Sequence, residues 1–237
     1  MTTPSPAKRF YKVAAAEPLD GGFTVALDGR RIKTPAGKPL IAPTHAAADA
    51  VAQEWNEQGE RIRPTTMPVT RAINVAIDRV TPERAAVAEI VAEYGATDML
   101  CYRAPWPGPL AARQTQHWDP VLTWMETRYR APLLRVEGVM HIAQPAPSLA
   151  ALRAAVDGFD AFALTALHEL VSIAGSLGLG LAVAEGRLTG PDAWTLSRID
   201  EDFQIEQWGE DDEAKALAAR RHRDFLVAER LLTLLRG

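Results

Sequence analysis

Short apolar segments punctuated by turn residues fill the start of the chain, and a helical spacing of apolar positions takes over at Thr44. The first pattern predicts strands at residues 9–13, 23–27, 30–34 and 39–42. Asp28-Gly29, between two of these, signals a two-residue hairpin, because the favoured turns need φ > 0 at their centre. A small antiparallel sheet is therefore expected. From Thr44, the residues Ala47, Val51, Ala52 and Trp55 share one helical face, with Gly59 as a stop.

A second helical pattern covers residues 69–80. Thr81-Pro82 then reads as an N-cap followed by proline at the first helical position, leading into Val87, Ile90 and Val91. The run RAPWPGP, residues 103–109, holds three prolines and a glycine, and predicts a hinge. Beyond it the spacing is mostly helical: 110–118, a restart at Asp119-Pro120, 148–159, 160–175, 191–208 and 211–235, with one short strand in 133–139. The expected fold is α+β: a small antiparallel β-rich N-terminal domain with packed helices, residues 1–104, then an all-helical C-terminal domain, residues 105–237.

With 237 residues, 47% of them apolar, the chain can bury a substantial core. A net charge of −4 argues against a nucleic-acid-coating surface. Cys101 is the only cysteine, which leaves no internal disulfide and no cysteine-based zinc site. The start, MTTPSPAKRFYK, lacks the apolar core of a signal peptide and is too short for a transit peptide. The longest apolar stretch, Leu177–Ala184, falls far short of the roughly 20 residues a membrane-spanning helix needs. A cytoplasmic protein without membrane insertion is expected, with a processed organellar protein as the alternative.

No catalytic signature holds together. His168-Glu169 suggests a zinc-protease helix, but residue 172, where the second histidine should fall, is serine. Ser176, in Ala-Gly-Ser-Leu-Gly, resembles a nucleophile elbow but follows a helical pattern where that motif needs a strand. Small residues that let two helices approach account better for Gly175, Ser176, Gly178 and Gly180. The same glycines fail as a dinucleotide fingerprint, since position 183 is valine. Cys101 would be a nucleophile only if a neighbour lowered its pKa, and Leu100 and Tyr102 suggest burial instead. No phosphate loop is present, and neither metal nor cofactor is expected.

Two features are unusual. Eight acidic residues, and no Lys or Arg, fall between Asp200 and Glu213, around Trp208 and the polar Gln204 and Gln207. At helical spacing Arg198, Asp202 and Glu206 form one line while Leu196, Ile199 and Phe203 face inward. The acids then form either a solvated helix face or a docking surface for a basic partner, with Trp208 as anchor. Trp106, in the proline-rich loop, is either tucked under that loop or offered to a partner.

Taken in order, Arg9-Phe10-Tyr11-Lys12, Leu27-Asp28-Gly29-Arg30, Glu54-Trp55 with Gln58, Met67-Pro68 with Thr70-Arg71, the run from Thr97 to Arg103, Gln114 with Trp118-Asp119-Pro120, Gly175-Ser176-Leu177, and Gln204 with Trp208-Gly209 resemble the ATP-twelve family. These are the α-subunit assembly chaperones of the ATP synthase catalytic head, found in mitochondria and alphaproteobacteria. The resemblance covers nearly the whole chain; Met99, Gly178 and Gly180 depart from it. It implies a non-enzymatic, cofactor-free monomer that binds the free α subunit, prevents its aggregation and releases it to the β subunit. It places the protein in the bacterial cytoplasm, with eukaryotic relatives in the mitochondrial matrix. The partner-binding residues it implies are Glu201, Gln204, Trp208, Asp211 and Glu213; Trp106 joins them as the exposed-loop candidate. Two other readings stand beside it: a small-molecule hydrolase using Ser176, with His168 and Glu169, or Cys101, and a general holdase.

Overall fold

The structure is a computed structural model in which residues 7–237 are described. The chain divides into two compact units, one of Met1–Arg84, Ala161–Thr165 and Arg230–Gly237, the other of Ala85–Asp160 and Ala166–Glu229. The proline-rich stretch 105–109 falls inside the second.

In the first unit, β1 (Ala14–Leu19), β2 (Gly22–Leu27) and β3 (Arg30–Arg31) form an antiparallel sheet in that order. The β2–β3 turn has Asp28 at φ 47 and Gly29 at φ 81, the left-handed pair that its sequence predicts. The first strand lies further along the chain than the expected 9–13. Those residues find other partners: Asp28 accepts hydrogen bonds from the Lys12 and Val13 amides, each at 3.0 Å. Pro18, which cannot donate to a ladder, sits in β1 at the edge of the sheet. The expected strands at 30–34 and 39–42 shrink to β3 and the isolated bridges Lys33↔Pro39 and Phe23↔Ala42.

Helix α1 (His45–Asn56) lies against β1 and β2. Thr44 caps it, its hydroxyl accepting from the Ala47 amide at 3.1 Å, and Ala47, Ala48, Val51 and Ala52 are buried. Glu54, on the same helix, is buried and accepts from the Val69 and Thr70 amides at 2.7 and 2.8 Å. It thereby satisfies the first turn of α2 (Pro68–Val75), whose amide dipoles favour a negative group there. A π-helical turn, Ala76–Val80, follows α2. This turn overturns the expected cap at Thr81: its hydroxyl donates back to the Ala76 carbonyl at 2.7 Å, and α3 (Arg84–Glu93) begins only after Pro82.

In the second unit a pair of short parallel strands, β4 (Tyr102–Arg103) and β5 (Val136–Glu137), flanks α4 (Gly108–Tyr129). Pro120 lies inside α4, with no restart at Asp119. A proline in a helix interior costs about 3 kcal/mol. One continuous buried face, Leu110, Trp118, Val121, Leu122 and Met125, offsets that cost. The remaining helices are α5 (Ala146–Asp157), α6 (Ala161–Ala174), α7 (Leu177–Ala184), α8 (Gly190–Ser197), α9 (Ile199–Trp208) and α10 (Asp212–Leu235). The stretch 191–208, expected as one helix, breaks at Arg198, where φ is −110° and ψ 7°.

The glycines of α7 serve close packing, as the sequence suggests. A Cβ at Gly180 would overlap Val171 Cγ2 and lie 3.3 Å from Leu167 Cδ1. Gly180→Ala is therefore expected to lose about 1–3 kcal/mol, read as a lower urea midpoint at unchanged m-value.

Candidate protein-docking site

The catalytic candidates are used up by structure. Ser176 is fully buried and caps α7, its hydroxyl accepting from the Leu179 amide at 3.0 Å. Cys101 is fully buried too, and burial, with the Asp98 charge second, pushes its thiol up to about 12. A thiol held protonated is a poor nucleophile. Native protein at pH 8 should resist iodoacetamide, and the same protein in denaturant should alkylate fully, as intact mass would record. His168 is half-buried with Ser172 one turn on, and no cluster of metal-ligating side chains exists among the described residues. Ser176 and Cys101 are thus committed to capping and packing.

The acidic stretch folds into α9, the connector 209–211 and the start of α10. Ile199 and Phe203, four apart, turn inward, which leaves Glu201, Gln204 and Trp208 outward. Gly209, at φ 86, ends α9 in a conformation that side chains rarely adopt. Asp211 caps α10 by accepting from the Ala214 amide at 2.9 Å. Between the two helices lies a groove of about 400 Å³ lined by Arg198, Glu201, Gln204, Ile205, Trp208, Asp211, Leu217 and Arg221, among others. Trp208 is 80% exposed.

Most of the acids already have partners, which separates the bland members of the cluster from the free ones. Asp200 accepts from Gln114 at 2.6 Å, and Arg198 reaches Asp202 at 3.4 Å. Arg113 holds Glu206 by two hydrogen bonds, at 2.7 and 2.9 Å, and lowers that carboxyl below its ordinary range. Glu206, one turn beyond Asp202 on α9, thus takes its cation from α4. Lys215 pairs with Glu210 at 2.9 Å. Glu201, Asp212 and Glu213 form no ion pair among the described residues.

Of the nominated residues, the groove gathers Glu201, Gln204, Trp208 and Asp211. Glu213 stands beside it on the first turn of α10, and Trp106 is elsewhere, on the loop between β4 and α4. Trp106 is 81% exposed, so it is not tucked under its loop. Gln114 braces both places: its side chain accepts from the Ala104 amide at 2.8 Å and donates to Asp200 on α9. Leu217, 45% exposed, forms part of the α10 wall of the groove and was not nominated from the sequence. Its place in a helical apolar pattern reads as core, so sequence offers no signal for it.

A family model, ATP12 chaperone protein, matches residues 8–126. The chain is also similar to the D202K mutant of Paracoccus denitrificans Atp12p, at 46% identity and a TM-score of 0.95, covering 98% of this chain and 100% of that one. This chain belongs to the ATP12 chaperone family. A second solved relative, the Atu1473 protein of Agrobacterium tumefaciens, is 45% identical with a TM-score of 0.92, covering 96% of this chain and 86% of that one. The mitochondrial atp12 protein of Schizosaccharomyces pombe is 23% identical over 97% of this chain and 84% of its own length. As an ATP12-family member the protein is an ATP synthase assembly chaperone and not an enzyme. Its α+β fold is that of the solved family members, and among the described residues no helix is long and apolar enough to cross a membrane.

Proposed function

We propose that the protein holds the unassembled α subunit of the ATP synthase catalytic head, keeps it from aggregating and releases it for assembly with the β subunit. In this reading the α9–α10 groove is the principal contact, with Glu201, Gln204, Trp208 and Asp211 inside it and Glu213 and Trp106 as outlying contacts. The observation that carries the reading is Trp208, 80% exposed in a groove beside the unpaired Glu201. An exposed tryptophan costs a monomer solubility and gives a partner a large, rigid anchor. Unpaired carboxylates steer a basic partner to it, over the roughly 8 Å that physiological salt permits.

An unassembled subunit exposes the apolar surface that assembly will bury, and masking it reversibly is a problem of binding, not of chemistry. A monomer acting in the bacterial cytoplasm is the simplest holder of one such subunit. The test is co-purification of the tagged protein from cell extract at low and moderate salt, followed by mass spectrometry. The α subunit without its β partner is the expected prey. A diffuse set of unrelated proteins would replace this reading with the general holdase.

A further inference from the structure

The first unit carries a second exposed apolar feature, on the segment Arg9-Phe10-Tyr11-Lys12-Val13. Phe10 is 72% exposed and Val13 58% exposed, while Tyr11 between them is buried. Exposed apolar side chains on a loose strand would be unremarkable, but this segment is fastened. The Arg9 guanidinium donates to four backbone carbonyls: Tyr11 at 3.1 Å, Lys12 at 2.7 Å, Asn56 at 3.1 Å, and Gln58. Asp28 holds the Lys12 and Val13 amides from the other side, which lowers its carboxyl below the ordinary range. The Tyr11 hydroxyl donates to the Trp55 carbonyl at 2.6 Å. Side chains thus take over the hydrogen bonding that a sheet would supply, and the two apolar groups stand on a fixed backbone.

Two exposed cations lie on the same segment or next to it. Lys8 and Lys12 are exposed, and Arg9 and Lys12 both act on Asp28, the acid that touches this segment. That carboxylate is committed to backbone amides, and neither Lys8 nor Lys12 forms an ion pair among the described residues. Pre-ordered apolar groups beside unneutralised cations fit one kind of partner, because pre-ordering removes the entropy cost of binding and complementary charge selects the partner. We propose that the Phe10–Val13 surface is a docking site for an acidic peptide segment that carries apolar anchors, separate from the α9–α10 groove and opposite to it in charge preference.

Fluorescence anisotropy with a labelled short peptide of glutamates around two leucines tests this, against matched peptides with lysine for glutamate or alanine for leucine. The glutamate–leucine peptide should bind the full chain in a salt-sensitive way, and both controls more weakly. The Phe10→Ser/Val13→Ser double variant should weaken binding about tenfold or more. Lys12→Glu, a charge reversal at an exposed side chain, should weaken it and remove the salt dependence. Glu201→Gln/Asp211→Asn/Glu213→Gln should leave it unchanged, so that failure here is separable from failure of the groove. Equal binding of the lysine peptide, no binding by wild type, or wild-type binding by both the double variant and Lys12→Glu would overturn the proposal.

Discussion

Asp98→Ala should destabilise the protein by about 3 kcal/mol, which for a chain of this size lowers Tm by roughly 6–12 °C. Asp98 is fully buried and its two oxygens serve two backbone donors, the Leu100 amide at 3.0 Å and the Gly178 amide at 2.9 Å. The second is at the start of α7, so one side chain joins the turn at Met99–Cys101 to a helix some 80 residues away. Alanine would leave both buried amides unsatisfied, at about 1–3 kcal/mol each. Some of this is recovered, because burial raises the Asp98 pKa: desolvation of the carboxylate outweighs the bonds that favour it. The sign of the pH dependence follows. A carboxyl whose folded pKa lies above its unfolded value binds protons more tightly in the folded state. Its contribution is fully present below the ordinary carboxylate range and is lost as pH rises toward the raised value. Asp98→Asn removes that titration, so the stability gap between wild type and this variant should narrow as pH rises through that window. A constant gap in urea melts across the acid range would show that Asp98 is not perturbed.

The second large effect concerns binding. Trp208→Ala is expected to weaken α-subunit binding by about 2 kcal/mol or more, some thirtyfold, while unfolding is unchanged within about 0.5 kcal/mol. The side chain is 80% exposed, so little of the fold depends on it. The acids call for a different substitution. Asp211 caps α10, and reversing its charge would confuse a lost cap with a lost contact. Asparagine caps as well as aspartate, so the informative variant is Glu201→Gln/Asp211→Asn/Glu213→Gln. Its association rate should fall about tenfold at low salt and converge on wild type at high salt, because exposed charges act mainly on encounter. Rates that match wild type at low salt would remove the acids from the docking surface.

The parts of this fold legible in the sequence are those set by neighbours along the chain. Asp28-Gly29 names its own turn, and Thr44 caps the helix that follows it. What the sequence hides is set by groups far away in the chain. Residues 9–13 read as a strand, yet the Lys12 and Val13 amides go to the side chain of Asp28 and the Tyr11 and Lys12 carbonyls to the Arg9 guanidinium. Thr81 carries the composition of an N-cap, but a π turn presents the Ala76 carbonyl to it first. Pro120 reads as a helix start because the buried face that sustains α4 through it is invisible to a local rule. The same division applies to the candidate site. The run of acids and Trp208 stand out in composition, whereas which acids are free depends on Gln114 and Arg113, which reach Asp200 and Glu206 from α4.

The most direct test of the holding role is light scattering as isolated, denatured ATP synthase α subunit is diluted into buffer with and without this protein. The account predicts suppression of aggregation near one chaperone per α subunit, loss of that suppression with Trp208→Ala, and no comparable protection of the β subunit or of an unrelated aggregating enzyme. Equal protection of all three proteins, or full protection by Trp208→Ala, would contradict it.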